Sequence, residues 1–331
     1  MLFQNKDFQP LQGETVLDCL LRNDIKVDFS CKSGNCQSCL LKSLQGDIDQ
    51  IAQKGLKPTL AAQGFFMACQ QNASVIGEAA TIATEQLYSH ARLVNKQLLS
   101  QDICQLILEP VCSLFYHAGQ FINLKNPQGI VRSYSIASNP ADDALIELHV
   151  QRKSLGVMSD WIFNQFNIGD GIDFQGPIGD CFYSTTNNLC PIVLIGTSTG
   201  AAPLIGIIRD ALGSGHSGEI IFYHGAKSVD GLYLHQKLIE MEEKYSNFSY
   251  QPSISSEENI DITSMGKNIR KGRCNEIALT EILPTKETLV FLCGNPEMVK
   301  ATRKKAFLAG FASKNIFIDP FEYQELRKES R

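Results

Sequence analysis

At 331 residues the chain is longer than one ordinary domain, which sets an expectation of two or three. A net charge of -5, with no basic tail and no Lys/Arg patch interleaved with aromatics, gives no electrostatic argument for nucleic-acid binding. No apolar run approaches the roughly 18 residues of a membrane span. The opening Met1-Leu2-Phe3-Gln4-Asn5-Lys6-Asp7 also lacks the basic start and apolar core of a secretory signal, so the expected setting is cytoplasmic, with no membrane partner.

Residues 1 to about 90 mix short strand-like pieces with loops, and Val16–Leu21 suits a short helix ahead of a Gly- and Cys-rich loop from Cys31 to Cys39. From about Arg92 short apolar runs bounded by Gly, Pro and Asn take over: Ile103–Leu108, Phe121–Leu124, Val131–Ile136, Leu145–Val150 and Ile172–Phe174. That rhythm predicts a small antiparallel barrel, with Gly156–Phe166 as a helix inserted among the strands. The last third changes period. Pro191–Ile195, Ile220–Tyr223 and Leu289–Cys293 are continuous apolar runs, each followed by a helix-like stretch (to Leu212, Leu232–Met241, Glu297–Ala309). Such alternation predicts a parallel sheet covered on both faces. Gln251–Lys271 is polar and Ser-rich and reads as a loop with little regular structure.

Eleven cysteines are too many to ignore, and a chain this long has no need of disulfide staples. Cys104, Cys112, Cys190 and Cys293 lie in or beside apolar runs, as buried small hydrophobes do. Cys31, Cys36, Cys39 and Cys69 instead stand among Gly and polar residues. Their spacing, Cys31-x4-Cys36-x2-Cys39 and then twenty-nine residues to Cys69, is the plant-type [2Fe–2S] arrangement. Two irons sharing two sulfides need four terminal ligands, and soft thiolates supply them. A loop wrapped closely round a cluster needs small residues and turned backbone, which Gly34 and Ser38 offer. A structural zinc site is the competing reading, but it usually uses two short Cys-x2-Cys pairs, and here the second pair is missing.

A cluster moves one electron, whereas a nicotinamide delivers two as hydride, so a protein joining them needs a carrier that tolerates both, and flavin is the usual one. Here the chain resembles the NAD(P)H-dependent reductases of the ferredoxin reductase type with a fused N-terminal plant-type ferredoxin domain. That family includes electron-transfer components of multicomponent oxygenases and the reductase that assists 3-deoxysugar biosynthesis. Arg132-Ser133-Tyr134-Ser135 resembles its Arg-x-Tyr-Ser flavin motif. The resemblance implies that Tyr134 packs by the isoalloxazine, Ser135 reaches its N5 region as a catalytic group, and Arg132 meets the pyrophosphate, which a guanidinium suits. Gly156-Val157-Met158-Ser159 resembles the second flavin element, at a helix start that is an anion site by helix physics. His149 and Val150 would line the same cofactor. Two phosphate contacts, together with the domain order, favour FAD over FMN.

Gly196-Thr197-Ser198-Thr199-Gly200-Ala201-Ala202-Pro203 follows a strand and precedes a helix, where small residues let backbone approach a dinucleotide pyrophosphate. It is not the Gly-x-Gly-x-x-Gly fingerprint. It does resemble the family's Gly-Thr-Gly-x-x-Pro loop, with Ser198-Thr199 altering the glycine spacing; Gly196, Thr197, Thr199 and Gly200 are its candidate binding residues. The resemblance further implies that Cys293, followed by Gly294, lies by the nicotinamide as a catalytic positioning group, and that Asp319-Pro320-Phe321-Glu322-Tyr323 is the terminal segment covering the flavin. Phe321 is the expected stacking residue and Tyr323 its rival. Lys227 is the only basic residue in Tyr223–Ser228, and a 2′-phosphate would favour a basic cluster there, so NADH is expected over NADPH.

The expected architecture is multidomain α+β: a β-grasp ferredoxin domain over 1–92, an antiparallel flavin-binding β-barrel over 93–187, and an α/β parallel-sheet nicotinamide-binding domain over 188–331. The expected function is electron transfer from NADH through FAD and a cluster on Cys31, Cys36, Cys39 and Cys69 to a downstream electron-accepting protein, an oxygenase component or a sugar dehydratase. A stand-alone reductase of a small acceptor and a cluster-based redox sensor are the alternatives.

Overall fold

The computed structural model describes the chain apart from residues 57, 82–87, 142–143, 256–268 and 323–331. Three sheets follow one another along it. The first has the order β2-β1-β5-β3-β4, from Leu2–Phe3 (β1), Lys6–Asp7 (β2), Leu40–Gly46 (β3), Phe65–Met67 (β4) and Ile76–Ala80 (β5). The helix Val16–Arg22 packs on it, started by Thr15, whose hydroxyl accepts from the Asp18 N–H at 3.1 Å. Leu17 and Leu20 from the helix meet Phe3, Leu41 and Phe66 from the sheet in one core. Between Arg22 and Leu40 the chain forms the cysteine loop, with no regular element.

The second sheet is antiparallel throughout, in the order β10-β7-β6-β11-β8-β9. Its strands are Ser89–Leu98 (β6), Ile103–Pro110 (β7), Phe121–Lys125 (β8), Val131–Ser135 (β9), Ile146–Gln151 (β10) and Gly171–Ile178 (β11). A bridge from Ile136, just past β9, to Leu148 on β10 closes the row into a barrel. The pattern expected from about Arg92 thus begins earlier, at Ser89. In β6 only Ala91 and Leu93 are fully buried, too sparse a signal to announce a ten-residue strand. The inserted helix runs Val157–Asn164, and Met158, Trp161 and Ile162 plug the barrel core. Its C-terminal end is fixed by Lys96, whose Nζ donates to the carbonyls of Ile162, Phe163 and Phe166 at 2.6, 3.1 and 2.9 Å.

The third sheet is parallel, in the order β15-β14-β13-β12-β16-β17. It comprises Ile192–Thr197 (β12), Ile220–Ala226 (β13), Phe248–Ile254 (β14), Arg270–Lys271 (β15), Leu289–Gly294 (β16) and Ile316–Pro320 (β17). Both faces are covered. Ile192 and Leu194 pack with the helices Ala201–Gly213 and His235–Lys244 on one side; Val193 and Ile195 pack with Cys274–Glu281 and Pro296–Ala309 on the other. The end of β14 and the short β15 correct the reading of Gln251–Lys271 as loop at its two ends, while 256–268 lie outside the described residues. Among the described residues no helix is long and apolar enough to cross a membrane. The strand order reverses between β12 and β16, so the crevice at their C-terminal ends is where such a sheet binds ligands.

Candidate cofactor sites

The cysteine loop gains its shape from backbone in the left-handed region at Lys32 (φ 51°), Gly34 (φ 79°) and Gln37 (φ 56°). These turns aim donors at sulfur. The N–H of Ser33 and that of Cys36 lie 3.3 and 3.4 Å from Cys31 Sγ, the N–H of Cys31 lies 3.4 Å from Cys36 Sγ, and Ser38 Oγ donates to Cys36 Sγ at 3.2 Å. Cys69 arrives from beyond β4 and receives Gln70 Nε2 at 3.6 Å. Among the described residues no three His, Cys, Asp or Glu side chains gather as a site for a single metal ion. The thiols fall instead into two pairs, Cys31 with Cys36 and Cys39 with Cys69. The Cys36 thiol and the nearby N–H groups pull the Cys31 thiol well below its ordinary value, and the Cys39 thiol and Gln70 lower Cys69. Each pair therefore holds one sulfur eased toward thiolate. Two pairs of soft ligands, each with N–H donors on sulfur, suit a cluster of two irons; a tetrahedral zinc site would need all four about one point.

The loop does not face away from the rest of the chain. Cys31, Cys36 and Gly34 share a cavity of about 660 Å³ with residues of β9, β10, β17 and the start of helix Val157–Asn164. Of the expected flavin residues, Arg132, Tyr134, Ser135, His149, Gly156, Met158, Ser159 and Phe321 line it. Val150 does not; strand alternation turns it into the barrel core at 0% exposure. Val157, at the helix start, is exposed and does not line the cavity either. The Ser159 hydroxyl is already committed, donating to the Gly156 carbonyl at 2.9 Å and accepting from the Lys153 N–H at 3.0 Å. It braces the turn, and the first-turn N–H groups, which an α-helix leaves without intrahelical partners, are what remain for an anion. A guanidinium, a helix N-terminus and aromatic side chains around one cavity of this size fit a dinucleotide such as FAD.

Ser135 Oγ donates to Asp319 Oδ2 at 2.8 Å, joining the barrel to β17. Burial raises the Asp319 carboxyl to about 6, against the lowering effect of Ser135. Within the terminal segment Asp319–Tyr323 the sequence marks Phe321 and Tyr323 and gives Asp319 no role of its own. His149 has both ring nitrogens occupied: Nε2 lies 2.9 Å from Glu147 Oε1 and Nδ1 lies 2.9 Å from Tyr233 Oη. Burial lowers its pKa, with Glu147 opposing, so the imidazole is neutral. A carboxylate can only accept, so Nε2 carries the proton and Tyr233 donates to Nδ1. Glu147 also accepts from Arg209 Nη1 at 2.8 Å and from Gln105, which makes the group a buried network from barrel to nucleotide sheet.

At the C-terminal ends of β12 and β16 the loop residues pack on one another. Gly200 lies so close to β16 that a Cβ would stand 2.5 Å from the Cys293 carbonyl oxygen; Gly294, at φ 117°, would drive one to 2.5 Å from Thr197 Oγ1. Gly196 pairs with both Cys293 and His224 in the sheet. Only Thr199 of this group lines the cavity. Ser198, the departure from the family pattern, occupies the left-handed region at φ 52° where the pattern has glycine. Cys293 is wholly buried behind Cys181, with the two sulfurs 3.7 Å apart, and it is Cys181 that lines the cavity. Cys104 and Cys190 are buried as expected, whereas Cys112 is exposed.

Comparison with known proteins agrees with this geometry. Residues 4–74 match the 2Fe-2S iron-sulfur cluster binding domain, 90–183 the oxidoreductase FAD-binding domain, and 194–304 the oxidoreductase NAD-binding domain. An aromatic O-demethylase reductase subunit from Amycolatopsis sp. is 30% identical over 301 residues, covering 87% of this chain and 88% of that protein. The CDP-6-deoxy-L-threo-D-glycero-4-hexulose-3-dehydrase reductase of Yersinia pestis is 29% identical over 316 residues, 93% of each. The crystal structure of an Amycolatopsis cytochrome P450 reductase superposes with a TM-score of 0.69 at 28% identity, covering 96% of this chain and 97% of that one. With thiol pairs, flavin cavity and parallel-sheet crevice in the family's order, the chain belongs to the NAD(P)H-dependent iron–sulfur flavoprotein reductases, FAD- and NAD-binding oxidoreductases that carry a 2Fe–2S domain.

Proposed function

We propose that this chain is the NADH-dependent reductase component of a cytoplasmic two-protein system. The chain up to residue 88 holds a [2Fe–2S] cluster through Cys31, Cys36, Cys39 and Cys69, 89–187 hold FAD, and 188–331 seat NADH, the first boundary standing before Ser89 and not at 92 so that β6 stays whole. FAD held there would supply hydride acceptance and single-electron release, the chemistry that joins a nicotinamide donor to a one-electron cluster. The chain's residues bind and orient. Arg132 and the first turn of helix Val157–Asn164 hold the pyrophosphate, Tyr134 and Phe321 wall the ring system, and Ser135 presents its hydroxyl under the control of Asp319. Thr197 and Gly200 close the nucleotide loop on Gly294, Thr199 faces the cavity, and Cys293 fixes Cys181 at the cavity wall. Tyr323, the rival stacking residue, lies outside the described residues.

One observation carries this reading: the cysteine loop and the Arg132–Ser135 strand line the same cavity. NADH is favoured because Lys227 is the one Lys or Arg in Tyr223–Ser228 at the end of β13, and Arg270 on the neighbouring edge is engaged by Glu281 and lies 5.8 Å over the Tyr223 ring. For the acceptor, an oxygenase component is favoured by the name of a Ralstonia relative, the reductase component of naphthalene 1,2-dioxygenase/salicylate 5-hydroxylase systems, 26% identical over 318 residues. The Yersinia relative supports a sugar dehydratase as second reading. Anaerobic mixing with NADH and NADPH in turn, then with each class of acceptor, tests the proposal: faster flavin bleaching by NADH and reoxidation by an oxygenase component are expected, and a preference for NADPH or indifference to both acceptors would overturn it.

A further inference from the structure

We infer that Asn123, flanked by Ser133 and Gln175, is a dock that fixes the cysteine loop on the flavin barrel and so sets the separation electrons cross to reach the cluster. The inference rests on the cofactor assignment proposed above. On β8, Ile122 and Leu124 belong to the barrel core, which leaves Phe121, Asn123 and Lys125 on the outer face. Asn123 stands directly opposite Ser133 on β9 and Gln175 on β11, so three polar side chains form a row across adjacent strands. The row is bonded along its length: Ser133 Oγ donates to Asn123 Oδ1 at 2.7 Å, and Asn123 Nδ2 donates to Gln175 Oε1 at 2.9 Å.

Its other face grips the cysteine loop. Asn123 Nδ2 donates to the Cys36 carbonyl oxygen at 2.6 Å, Gln175 Nε2 reaches the Gln37 carbonyl at 3.4 Å, and Ser133 Oγ lies 3.5 Å from Ser30 Oγ. Two residues along β8, Lys125 pairs with Asp28 at 2.7 Å, and Tyr88 donates to the same carboxylate at 3.0 Å. Asn123 is 0% exposed, and a buried primary amide is unfavourable unless its groups are matched. Both of its N–H groups and its oxygen are matched here, one N–H by the backbone of a candidate cluster ligand. The amide is therefore well placed to fix geometry, and an electron-transfer rate falls exponentially with separation. The same strand pair carries Arg132 and Tyr134 one residue either side of Ser133, so a shift of the loop relative to Asn123 is a shift relative to the flavin cavity.

The test uses the full chain with its cofactors. In Asn123→Ala, flavin bleaching on mixing with NADH should stay at the parent rate while reduction of the cluster slows at least about tenfold. Asn123→Asp keeps the acceptor for Ser133 but sets an oxygen against the Cys36 carbonyl, and should match the alanine variant. Independently of turnover, amide hydrogen exchange over 30–37 should rise about tenfold, with Leu40–Gly46 unchanged. Parent-like cluster reduction, parent-like loop exchange, or equal slowing of both steps would each overturn the inference, the last by showing general damage. Should Asn123→Ala fail to fold, Gln175→Ala decides by the same readouts. If the parent itself shows no bleaching by NADH or NADPH, the cofactor assignment fails, and loop exchange still decides whether the dock exists.

Discussion

Replacing Arg209 by Met should expose how far the barrel and the nucleotide sheet depend on one buried ion pair. The Glu147 side chain is 9% exposed and that of Arg209 20%, at 2.8 Å, and Arg209 also donates to the Ala137 carbonyl at 3.2 Å. Against the raising effect of burial, His149 and Arg209 hold the Glu147 carboxyl below the ordinary carboxylate range. Breaking a buried pair from one side costs about 3–5 kcal/mol because the remaining charge is stranded. Glu147 keeps His149 and Gln105 as donors and Arg209 is partly wet, so about 2–3 kcal/mol is the expected loss. The reverse change, Glu147→Gln, strands Arg209 less and should cost less. The assay is urea unfolding of both variants and of their combination, followed by intrinsic fluorescence, in which Trp161 reports on the barrel. A coupling of about 1–2 kcal/mol between the two changes is expected. Strict additivity would refute the claim that these residues act as one network.

The pH dependence of that network has a definite sign: Glu147 and His149 both have folded pKa values below their unfolded ones, so its contribution weakens as pH falls below about 6.5 and further below about 4.5 in urea melts, and it should flatten in Glu147→Gln. Asp319 is opposite, its folded pKa of about 6 standing above the unfolded one, so its stabilising contribution is full in acid and lost as pH rises through 6. Asp319→Asn should therefore erase any inflection near that pH in the rate of flavin bleaching by NADH; an inflection that survives would place its origin elsewhere. Ser198→Gly should raise the thermal midpoint or leave it unchanged, whereas Ser198→Val should cost about 1–3 kcal/mol, because a β-branched residue tolerates positive φ poorly. Gly200→Ala should weaken nicotinamide-nucleotide binding by titration while flavin content stays at parent level, since its methyl meets the Cys293 carbonyl.

The parallel sheet was legible because β12, β13 and β16 are unbroken apolar runs, buried on both faces. Strand β14 was not: Phe248, Tyr250 and Pro252 alternate with Ser and Gln, and an internal proline argues against a strand from sequence alone. The cysteine spacing pointed to the cluster domain that 4–74 match, because three candidate ligands lie on one short loop. The cavity proposed for the flavin was half legible. Arg132, Tyr134 and Ser135 follow a local pattern, but Asp319 joins them from a distant strand, and no spacing encodes a contact across 184 positions. Cys293 illustrates the same limit, since resemblance marks the strand end but not that Cys181 stands between it and the cavity. Asn123 was invisible for a further reason. A polar residue at an outward strand position reads as solvent-facing, and only the docked ferredoxin domain makes it interior.

The central claim is tested most directly by one anaerobic experiment: metal and flavin analysis of the purified chain, followed by reduction with NADH monitored by visible absorption and paramagnetic resonance. The account predicts about two irons and about one FAD per chain, flavin bleaching on addition of NADH, and then the signal of a reduced [2Fe–2S] cluster that vanishes in Cys36→Ser. A colourless chain holding one zinc, or a flavin that bleaches while the iron stays oxidised, would contradict it.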